Sequence, residues 1–340
     1  MQWKIAYAHH EQVHQNYCTV SALQKSPFAH LPASVPGCLE QDLMRAGVLE
    51  DLYFSTNTLK AQELEDVHVW YYSKFDIQNK NQYLRFEGID TFADIYVNGQ
   101  LVKSTDNMFL SYDIFADWII GENEVVVHIK PTMLEARKFT PPAISYALRY
   151  NYAGLYVRKA GHMFGWDIMP RIVSAGLWKE VRLLEKKQDS IEQVYLLTHQ
   201  IKNCADREKQ AFLRCFIHTN LSSVFAQDYR VKVEGVCGDH RFCVEQRLWH
   251  TATKLFFDVP NCKLWWPKNA GEQNLYDVTV MLLYGETVCD TYRFAYGIRT
   301  VELDRTELTG PGRYRRFRRS GTTGPLPAST SRRWEPAYMR

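Results

Sequence analysis

The sequence predicts an all-β protein built from two successive β-sandwiches. Three observations favour this fold class. Apolar side chains recur at every second position in short runs such as Val125–Ile129 and Tyr276–Leu283, which is the period of a strand with one buried face. Such runs continue through the first 300 residues, and Gly, Asn, Asp and Pro separate them. A helical period is limited to a turn or two at Glu40–Ala46.

The composition excludes several classes of protein. The chain has 340 residues, of which 46% are hydrophobic and 14% aromatic, so it can form two or three domains with their own cores and is unlike a disordered chain. The net charge of +3 comes from the segment Gly310–Arg340, which contains eight Arg and one acidic residue. The rest of the chain is mildly acidic. We therefore predict no nucleic-acid partner, since such binding needs a basic face on a folded domain.

The cysteines and the start of the chain indicate a compartment. None of the eight cysteines belongs to a Cys-x-x-Cys pair, and the chain opens on the strand-like segment Met1–Ile5 rather than on a secretory signal. We therefore expect reduced thiols and a cytoplasmic location. No apolar run approaches the ~20 residues of a membrane span, so we predict no membrane partner.

We also predict no metal site. His9 and His10 are adjacent, but neighbouring side chains of a strand point to opposite faces. Cys237 and Cys243 lack a companion His at the spacing of metal ligands.

The first domain is predicted at residues 1–186 as a β-sandwich. Its clearest element is a hairpin in which the strands Asp94–Val97 and Gln100–Val102 flank Asn98-Gly99. Asn-Gly supplies the two positive-φ residues of a type I′ turn, whose twist matches that of the flanking strands.

A long segment without strand periodicity lies at Pro131–Gly176, before the strand Leu177–Leu183 that closes this domain. A loop of this length inside a compact domain is usually functional or disordered, and its aromatic content argues against disorder. We therefore expect a functional loop with an exposed aromatic surface. Its aromatic residues include Tyr146, Tyr150, Tyr152, Tyr156, Phe164 and Trp166.

The second domain is predicted at residues 190–300, after the polar linker Glu185–Ser190. Its length and its alternating strands are those of one immunoglobulin-like sandwich. Residues 301–340 form an Arg-rich tail that has no periodicity after Leu308. We expect this tail to be disordered.

Six short motifs are spread over residues 1–305. They are Val35-Pro-Gly-Cys38, Gly88-Ile-Asp-Thr-Phe-Ala-Asp-Ile-Tyr-Val-Asn-Gly99, Phe164-Gly-Trp-Asp167, Gly176-Leu-Trp178, Leu264-Trp-Trp-Pro267 and Phe294-x-x-Gly297-Ile-Arg299. In this order they resemble the β-mannosidase branch of glycoside hydrolase family 2. The resemblance implies a galactose-binding-like jelly roll followed by an immunoglobulin-like sandwich. It also implies a retaining hydrolase that removes terminal non-reducing β-D-mannose residues and needs no cofactor.

The same resemblance implies two catalytic Glu residues on a (β/α)8 barrel that follows the sandwiches. A retaining glycosidase needs two such carboxylates about 5 Å apart. The pair Asn123-Glu124 lies at the start of a strand, so we interpret it as structural and predict no catalytic residue. Where the family enters its barrel, this chain has the Arg-rich tail. We therefore expect the catalytic barrel to be absent, and a frameshift in the coding sequence would account for the change.

Trp166 and Asp167 are the predicted substrate-binding residues, with Arg158 beside them. An aromatic ring stacks on the apolar face of a sugar, and a carboxylate accepts hydrogen bonds from its hydroxyls. In the family that the chain resembles, the Trp-Asp pair touches the sugar at the cleavage site. The alternative is structural: Trp166 packs within the loop, and Asp167 pairs with Arg158 or Arg171.

One departure from the family pattern lies beside this pair. Ile168-Met169 stands where the family commonly has Trp-Gly, which leaves the shape of the loop open. The partner that the resemblance implies is a β-mannoside oligosaccharide, bound by the intact enzyme. Two alternatives are a carbohydrate-binding sandwich without catalysis and a gene-model fragment without function. The sequence carries no prediction of the oligomeric state.

Overall fold

The computed structural model of the chain describes residues 1–140, 152–203, 209–304 and 316–319. The chain divides into two compact units, Met1–Lys186 and Lys187–Arg340. Both are built mainly from antiparallel sheets, and no closed barrel forms among the described residues. The predicted all-β fold class is therefore confirmed.

The first unit combines strands with short helices. Its described strands are β1 (Trp3–His9), β2 (Ala29–Ala33), β3 (Val67–Ile77), β4 (Gln82–Phe86), β5 (Ala93–Val97), β6 (Gln100–Thr105), β7 (Tyr112–Ile114), β8 (Gly121–Ile129) and β9 (Val181–Glu185). Its described α-helices are α1 (Val20–Gln24), α2 (Leu39–Arg45) and α3 (Thr132–Ala136). Segments of 3₁₀-helix lie at His10–Gln12, Asn57–Leu64, Tyr152–Tyr156 and Gly161–Phe164.

Two sheets form the sandwich of the first unit. One has the strand order β2-β1-β3-β8-β5-β6, and the other has the order β7-β4-β9. Tyr71 of β3 and Leu84 of β4 belong to one core in which both side chains are fully buried. Leu39 and Leu43 of α2 pack into the same core. Full burial of each large apolar side chain stabilises the fold by about 1.5–3 kcal/mol.

The six-stranded sheet is covered on both faces. This explains the run of consecutive apolar residues in β8, which a strand with one buried face would not have. Val125 and Val127 of β8 belong to the sandwich core, whereas Val126 belongs to a second cluster with residues of α1. In that cluster Trp70 stacks on Phe28, with 5.1 Å between the ring centroids. Because both faces are covered, β8 has apolar residues at consecutive positions.

The predicted hairpin is confirmed, with Val97 opposite Gln100 in the register of β5 and β6. Asn98 and Gly99 have φ angles of 49° and 81°, as a type I′ turn requires. The side-chain oxygen of Asn98 also accepts the backbone N–H of Glu124 at 3.0 Å. This bond ties the turn to β8, at the centre of the sheet.

The second unit is a sandwich of two sheets. Its strands are β10 (Ser190–Asn203), β11 (Lys209–Asn220), β12 (Tyr229–Cys237), β13 (His240–Arg247), β14 (Ala252–Val259), β15 (Tyr276–Tyr284) and β16 (Thr287–Tyr296), and a 3₁₀ turn lies at Ala226–Asp228. They pair in the orders β10-β11-β14 and β13-β12-β15-β16, which is the strand division of an immunoglobulin-like domain. Along β15, Tyr276, Val278 and Val280 are buried, whereas Asp277 is exposed. The predicted alternation is confirmed.

The segment predicted to be a disordered tail contains a pair of strands. β17 (Val301–Asp304) and β18 (Arg316–Arg319) pair antiparallel, with Val301 opposite Arg319. The structure differs from the prediction at these two segments, because backbone N–H and C=O groups can pair however polar the side chains are. The rest of residues 301–340 lies outside the described residues.

Two further findings concern the described part of the chain. None of its helices is long and apolar enough to cross a membrane. Its cysteines are free thiols, of which Cys215, Cys237 and Cys262 are buried.

Candidate functional site

The loop with the predicted binding residues is anchored at its base by a buried aromatic ring. Phe164, which ends the 3₁₀ segment Gly161–Phe164, is only 2% exposed and packs with Val157 and Val173. The expectation that the aromatic residues of this loop are exposed is therefore wrong for Phe164. Two further aromatic residues of the loop lie outside the described residues, Tyr146 and Tyr150.

Arg171 fastens this base to a distant part of the first unit. Its Nε and Nη2 atoms donate to the two carboxylate oxygens of Glu65 at 2.6 and 2.7 Å. Nη1 donates to the carbonyl oxygen of Phe164 at 3.2 Å. Such a two-point ion pair fixes orientation as well as position. Arg171 therefore pairs with Glu65 rather than with Asp167.

Trp166, Asp167, Ile168 and Met169 form a tight turn at the tip of the loop. The N–H of Trp166 donates to the carbonyl oxygen of Met169 at 3.0 Å, and the N–H of Met169 donates to the carbonyl oxygen of Trp166 at 3.1 Å. Gly165 leads into the turn with a φ of 85°, a conformation that glycine adopts readily. Ile168-Met169 is thus compatible with a closed turn.

This turn presents an aromatic face and a carboxylate to solvent. Trp166 is 75% exposed, and Asp167 is exposed as well. Ile168 and Met169 extend the exposed apolar surface. An indole this exposed stabilises the fold little by burial. Trp166 is therefore not packed within the loop, as the structural alternative had it.

Arg158 is engaged elsewhere. Its guanidinium lies 3.5 Å from the carboxylate of Asp106, and its carbonyl oxygen accepts the N–H of Met108 at 3.0 Å. The structure thus brings Trp166 and Asp167 together in one turn, but it pairs Arg158 with Asp106 instead of Asp167.

Lys159, the next residue, forms a buried ion pair. Lys159 and Asp90 are 4% and 2% exposed, and Nζ of Lys159 donates to Asp90 at 2.5 Å and to the carbonyl oxygen of Ser174 at 2.6 Å. The hydroxyl of Thr91 donates to the same carboxylate oxygen. Lys159 thus joins the segments on either side of the Trp166 turn to the segment before β5. Asp90 lies in the motif Gly88–Gly99, but nothing in that motif indicates a buried lysine as its partner, so the sequence does not reveal the pair.

Glu40 is a second buried acid close to this ion pair. It is 3% exposed, and burial raises the pKa of its carboxyl to about 7, although Cys38 and Lys159 partly oppose the rise. Burial also raises the pKa of the Cys38 thiol to about 12, so this thiol stays protonated. Oε2 of Glu40 has no hydrogen-bond partner among the described residues. Below about pH 7 the protonated form of Glu40 therefore predominates in the fold.

Three of the motifs meet at Gly176. The N–H of Asp90 donates to the carbonyl oxygen of Gly176 at 2.9 Å, and the N–H of Gly37 donates to that of Leu177 at 2.9 Å. A Cβ atom on Gly176 would collide with the carbonyl oxygen of Gly37 and would lie 2.6 Å from Cα of Cys38. The close approach of these backbones therefore requires glycine at this position.

Replacing Gly176 with alanine is expected to lower the free energy of unfolding by about 1–3 kcal/mol, because backbone atoms would have to move to accommodate the methyl group. Gly161→Ala is the matched control, since a Cβ there meets nothing within 4 Å. Urea denaturation followed by tryptophan fluorescence compares both variants with wild type. Equal stability of the two variants would contradict the close contact at Gly176.

Strand alternation predicts that His9 and His10 point to opposite faces, and the structure differs from this prediction. The strand β1 ends at His9, and the 3₁₀ segment His10–Gln12 begins at the next residue. The two imidazole rings lie 4.4 Å apart between centroids. The premise on which we predicted no metal site is therefore wrong at this position.

Comparison with known proteins shows two family matches. Residues 3–179 match the family described as glycosyl hydrolase 2 galactose-binding domain-like, and residues 191–299 match the one described as glycosyl hydrolases family 2. Beta-mannosidase B of Emericella nidulans is 30% identical over 297 residues, which are 82% of this chain and 34% of that protein. The chain thus spans about a third of the length of the curated relatives that it matches.

Solved structures show the same architecture. The beta-D-mannosidase of Dictyoglomus thermophilum has a TM-score of 0.64 at 26% identity, and the match covers 88% of this chain and 36% of that one. The exo-chitosanase of Amycolatopsis orientalis has a TM-score of 0.62 at 18% identity, covering 94% of this chain and 35% of that one. The second match concerns the fold alone.

Proposed function

The chain belongs to family 2 of the glycosyl hydrolases, and from this membership we propose that it supplies the accessory, sugar-contacting part of a β-mannosidase. The reaction in which it would take part is the hydrolysis of terminal non-reducing β-D-mannose residues of oligosaccharides. The curated relative from Emericella nidulans and the structural relative from Dictyoglomus thermophilum are both named as mannosidases, which supports this choice of sugar.

The observation that carries the proposal is the exposed turn with Trp166 and Asp167. Hydrogen bonds at both ends hold the turn, and the Arg171–Glu65 ion pair fixes its base. A ring on such a support can stack on the apolar face of a sugar, while the carboxylate accepts hydrogen bonds from two hydroxyls. We assign these two roles to Trp166 and Asp167, and we propose Arg158 as a contact at the edge of the site.

Catalysis itself is not assigned to residues of this chain. Hydrolysis with retention needs two carboxylates about 5 Å apart, and the sequence offers no such pair in a recognisable setting. The match covers 34% of the Emericella nidulans protein. In our proposal the catalytic pair comes from the part of a β-mannosidase that lies outside such a matched region. The turn would then complete a sugar pocket whose other walls carry the acid and the nucleophile.

Mannose is expected to bind at this turn with a millimolar Kd or weaker. Each neutral hydrogen bond contributes about 1 kcal/mol net, whereas association costs at least ~4 kcal/mol of rigid-body freedom. One ring and one carboxylate therefore form only part of a pocket. The measurement is a titration of the ¹⁵N-labelled chain with mannose that follows the indole N–H signal of Trp166. Trp249, which is 64% exposed in the second unit, is the internal control.

Asp167→Ala is expected to weaken this binding at least about tenfold, because hydrogen bonds to a charged group contribute about 1.5–3 kcal/mol. Galactose, which differs from mannose at two hydroxyls, serves as the control sugar. A Trp166 signal that moves equally in wild type and Asp167→Ala would count against the role of the carboxylate. Micromolar binding would favour a self-sufficient carbohydrate-binding module instead. Turnover of an aryl β-mannoside by the purified chain alone would show that the catalytic pair is present here.

A further inference from the structure

We propose that His9, His10 and Asp66 form a binding site for a divalent transition-metal cation, with Zn²⁺ as the best match. Each residue offers one ligand atom, and the three atoms lie within 4.8 Å of one another. The inference rests on the first unit alone and is independent of the proposed sugar contact.

The backbone brings the three residues together at the end of β1. His9 pairs with Val67 at the start of β3, and the N–H of His10 donates to the carbonyl oxygen of Asp66 at 2.9 Å. The 3₁₀ turn that follows is closed by the N–H of Val13, which donates to the carbonyl oxygen of His10 at 3.1 Å. Because strand alternation stops at this turn, two consecutive imidazoles each place a ligand atom within 4.8 Å of a carboxylate oxygen of Asp66.

Two atoms of the cluster are buried without a hydrogen-bond partner among the described residues. They are Nδ1 of His10 and Oδ1 of Asp66. Leaving buried polar atoms unpaired is unfavourable, and native proteins rarely do so. A cation bound by both atoms would satisfy them at once. The carboxylate of Glu11, 3.8 Å from Nδ1 of His9, adds negative charge at the edge of the cluster.

The donor set indicates the class of metal. Two imidazole nitrogens and one carboxylate oxygen suit Zn²⁺, whereas Mg²⁺ and Ca²⁺ prefer oxygen ligands alone. Tetrahedral bonds of about 2.0–2.1 Å place ligand atoms about 3.3 Å apart, so the side chains would close in on the metal. All three are only half-buried, which leaves them room to do so. A bound metal would fasten the end of β1 to the start of β3.

Calorimetric titration with Zn²⁺ tests the proposal. We expect wild type to bind one Zn²⁺, and its thermal unfolding midpoint to rise by about 5 °C when zinc is in hundredfold excess over Kd. His10→Ala and Asp66→Asn should each weaken binding at least about tenfold. His14→Ala is the matched control, since His14 is an exposed histidine of the same segment outside the cluster, and it should bind as wild type does.

Three results would overturn the proposal. The first is that wild type binds no Zn²⁺, and the second is that His10→Ala and Asp66→Asn bind it as tightly as wild type does. The third is a Co²⁺ complex of wild type with an intense thiolate band in the near ultraviolet, which would place the metal at cysteine. The Co²⁺ spectrum is read on wild type, so it remains decisive even where circular dichroism shows that a variant has failed to fold.

Discussion

Replacing Lys159 with methionine is expected to lower the free energy of unfolding of the first unit by about 3–5 kcal/mol. Lys159 and Asp90 are both nearly inaccessible to solvent, and methionine is close to lysine in volume. Among the described residues, the substitution would leave the buried Asp90 carboxylate with the hydroxyl of Thr91 as its remaining side-chain partner. Hydrogen exchange of peptides from β3 and β8 at increasing urea concentration reports the stability of this unit in the full chain.

Two variants separate the buried charge from other effects of the substitution. Adding Asp90→Asn to Lys159→Met removes the unpaired carboxylate and should recover most of the loss, because replacing a whole buried ion pair is often nearly neutral. Lys74→Met removes an ion pair with Glu122 in which both side chains are exposed, and it should leave the stability unchanged within error. A double variant no more stable than Lys159→Met would show that packing, not charge, explains the loss.

The stability of the first unit is also expected to fall as the pH rises from about 5 to 8, and Glu40 is the cause. Its pKa is about 7 in the folded chain against an ordinary value of 4.5, so between these values the folded state binds more protons than the unfolded state. Stability from this group is complete below pH 4.5 and is lost as the pH rises through 7. The loss amounts to about 3 kcal/mol for a shift of this size.

Comparison of wild type with Glu40→Gln at pH 5.5 and pH 8 isolates this effect. Glutamine keeps the shape of the protonated acid but does not titrate, so the variant should lack the component of the decline that Glu40 causes. Other titrating groups contribute to both proteins alike and cancel in the difference. The measurement is again urea-dependent hydrogen exchange in the first unit. An identical pH dependence in both proteins would show that Glu40 is ionised or accessible in the fold.

The strands and the hairpin could be predicted because their signals are local. Alternation along β15 records which of its faces is buried, and Asn98-Gly99 supplies the positive φ angles of the turn within two residues. The covered outer face of β8 could not be predicted in the same way. Val126 is apolar because α1 packs on that side, and the position of α1 depends on how the chain folds back.

The candidate site likewise has some features that the sequence predicts and others that only the structure shows. The motif containing Trp166 and Asp167 pointed to the loop, but their exposure and the closure of the turn by Met169 emerged only from the structure. The alternative in which Arg171 pairs with Asp167 is wrong. The partner of Arg171 is Glu65, which lies 106 positions away along the chain.

Residue types and their spacing were thus sufficient for the all-β fold class, the order of the two sandwiches and the location of the loop. The Lys159–Asp90 pair, the burial of Glu40 and the approach of His9 and His10 to Asp66 required the folded structure. The physical reason is that spacing controls backbone conformation over a few residues. The partner of a buried charge is chosen instead by which distant segments pack together, as for Lys159 and Asp90, which are 69 positions apart.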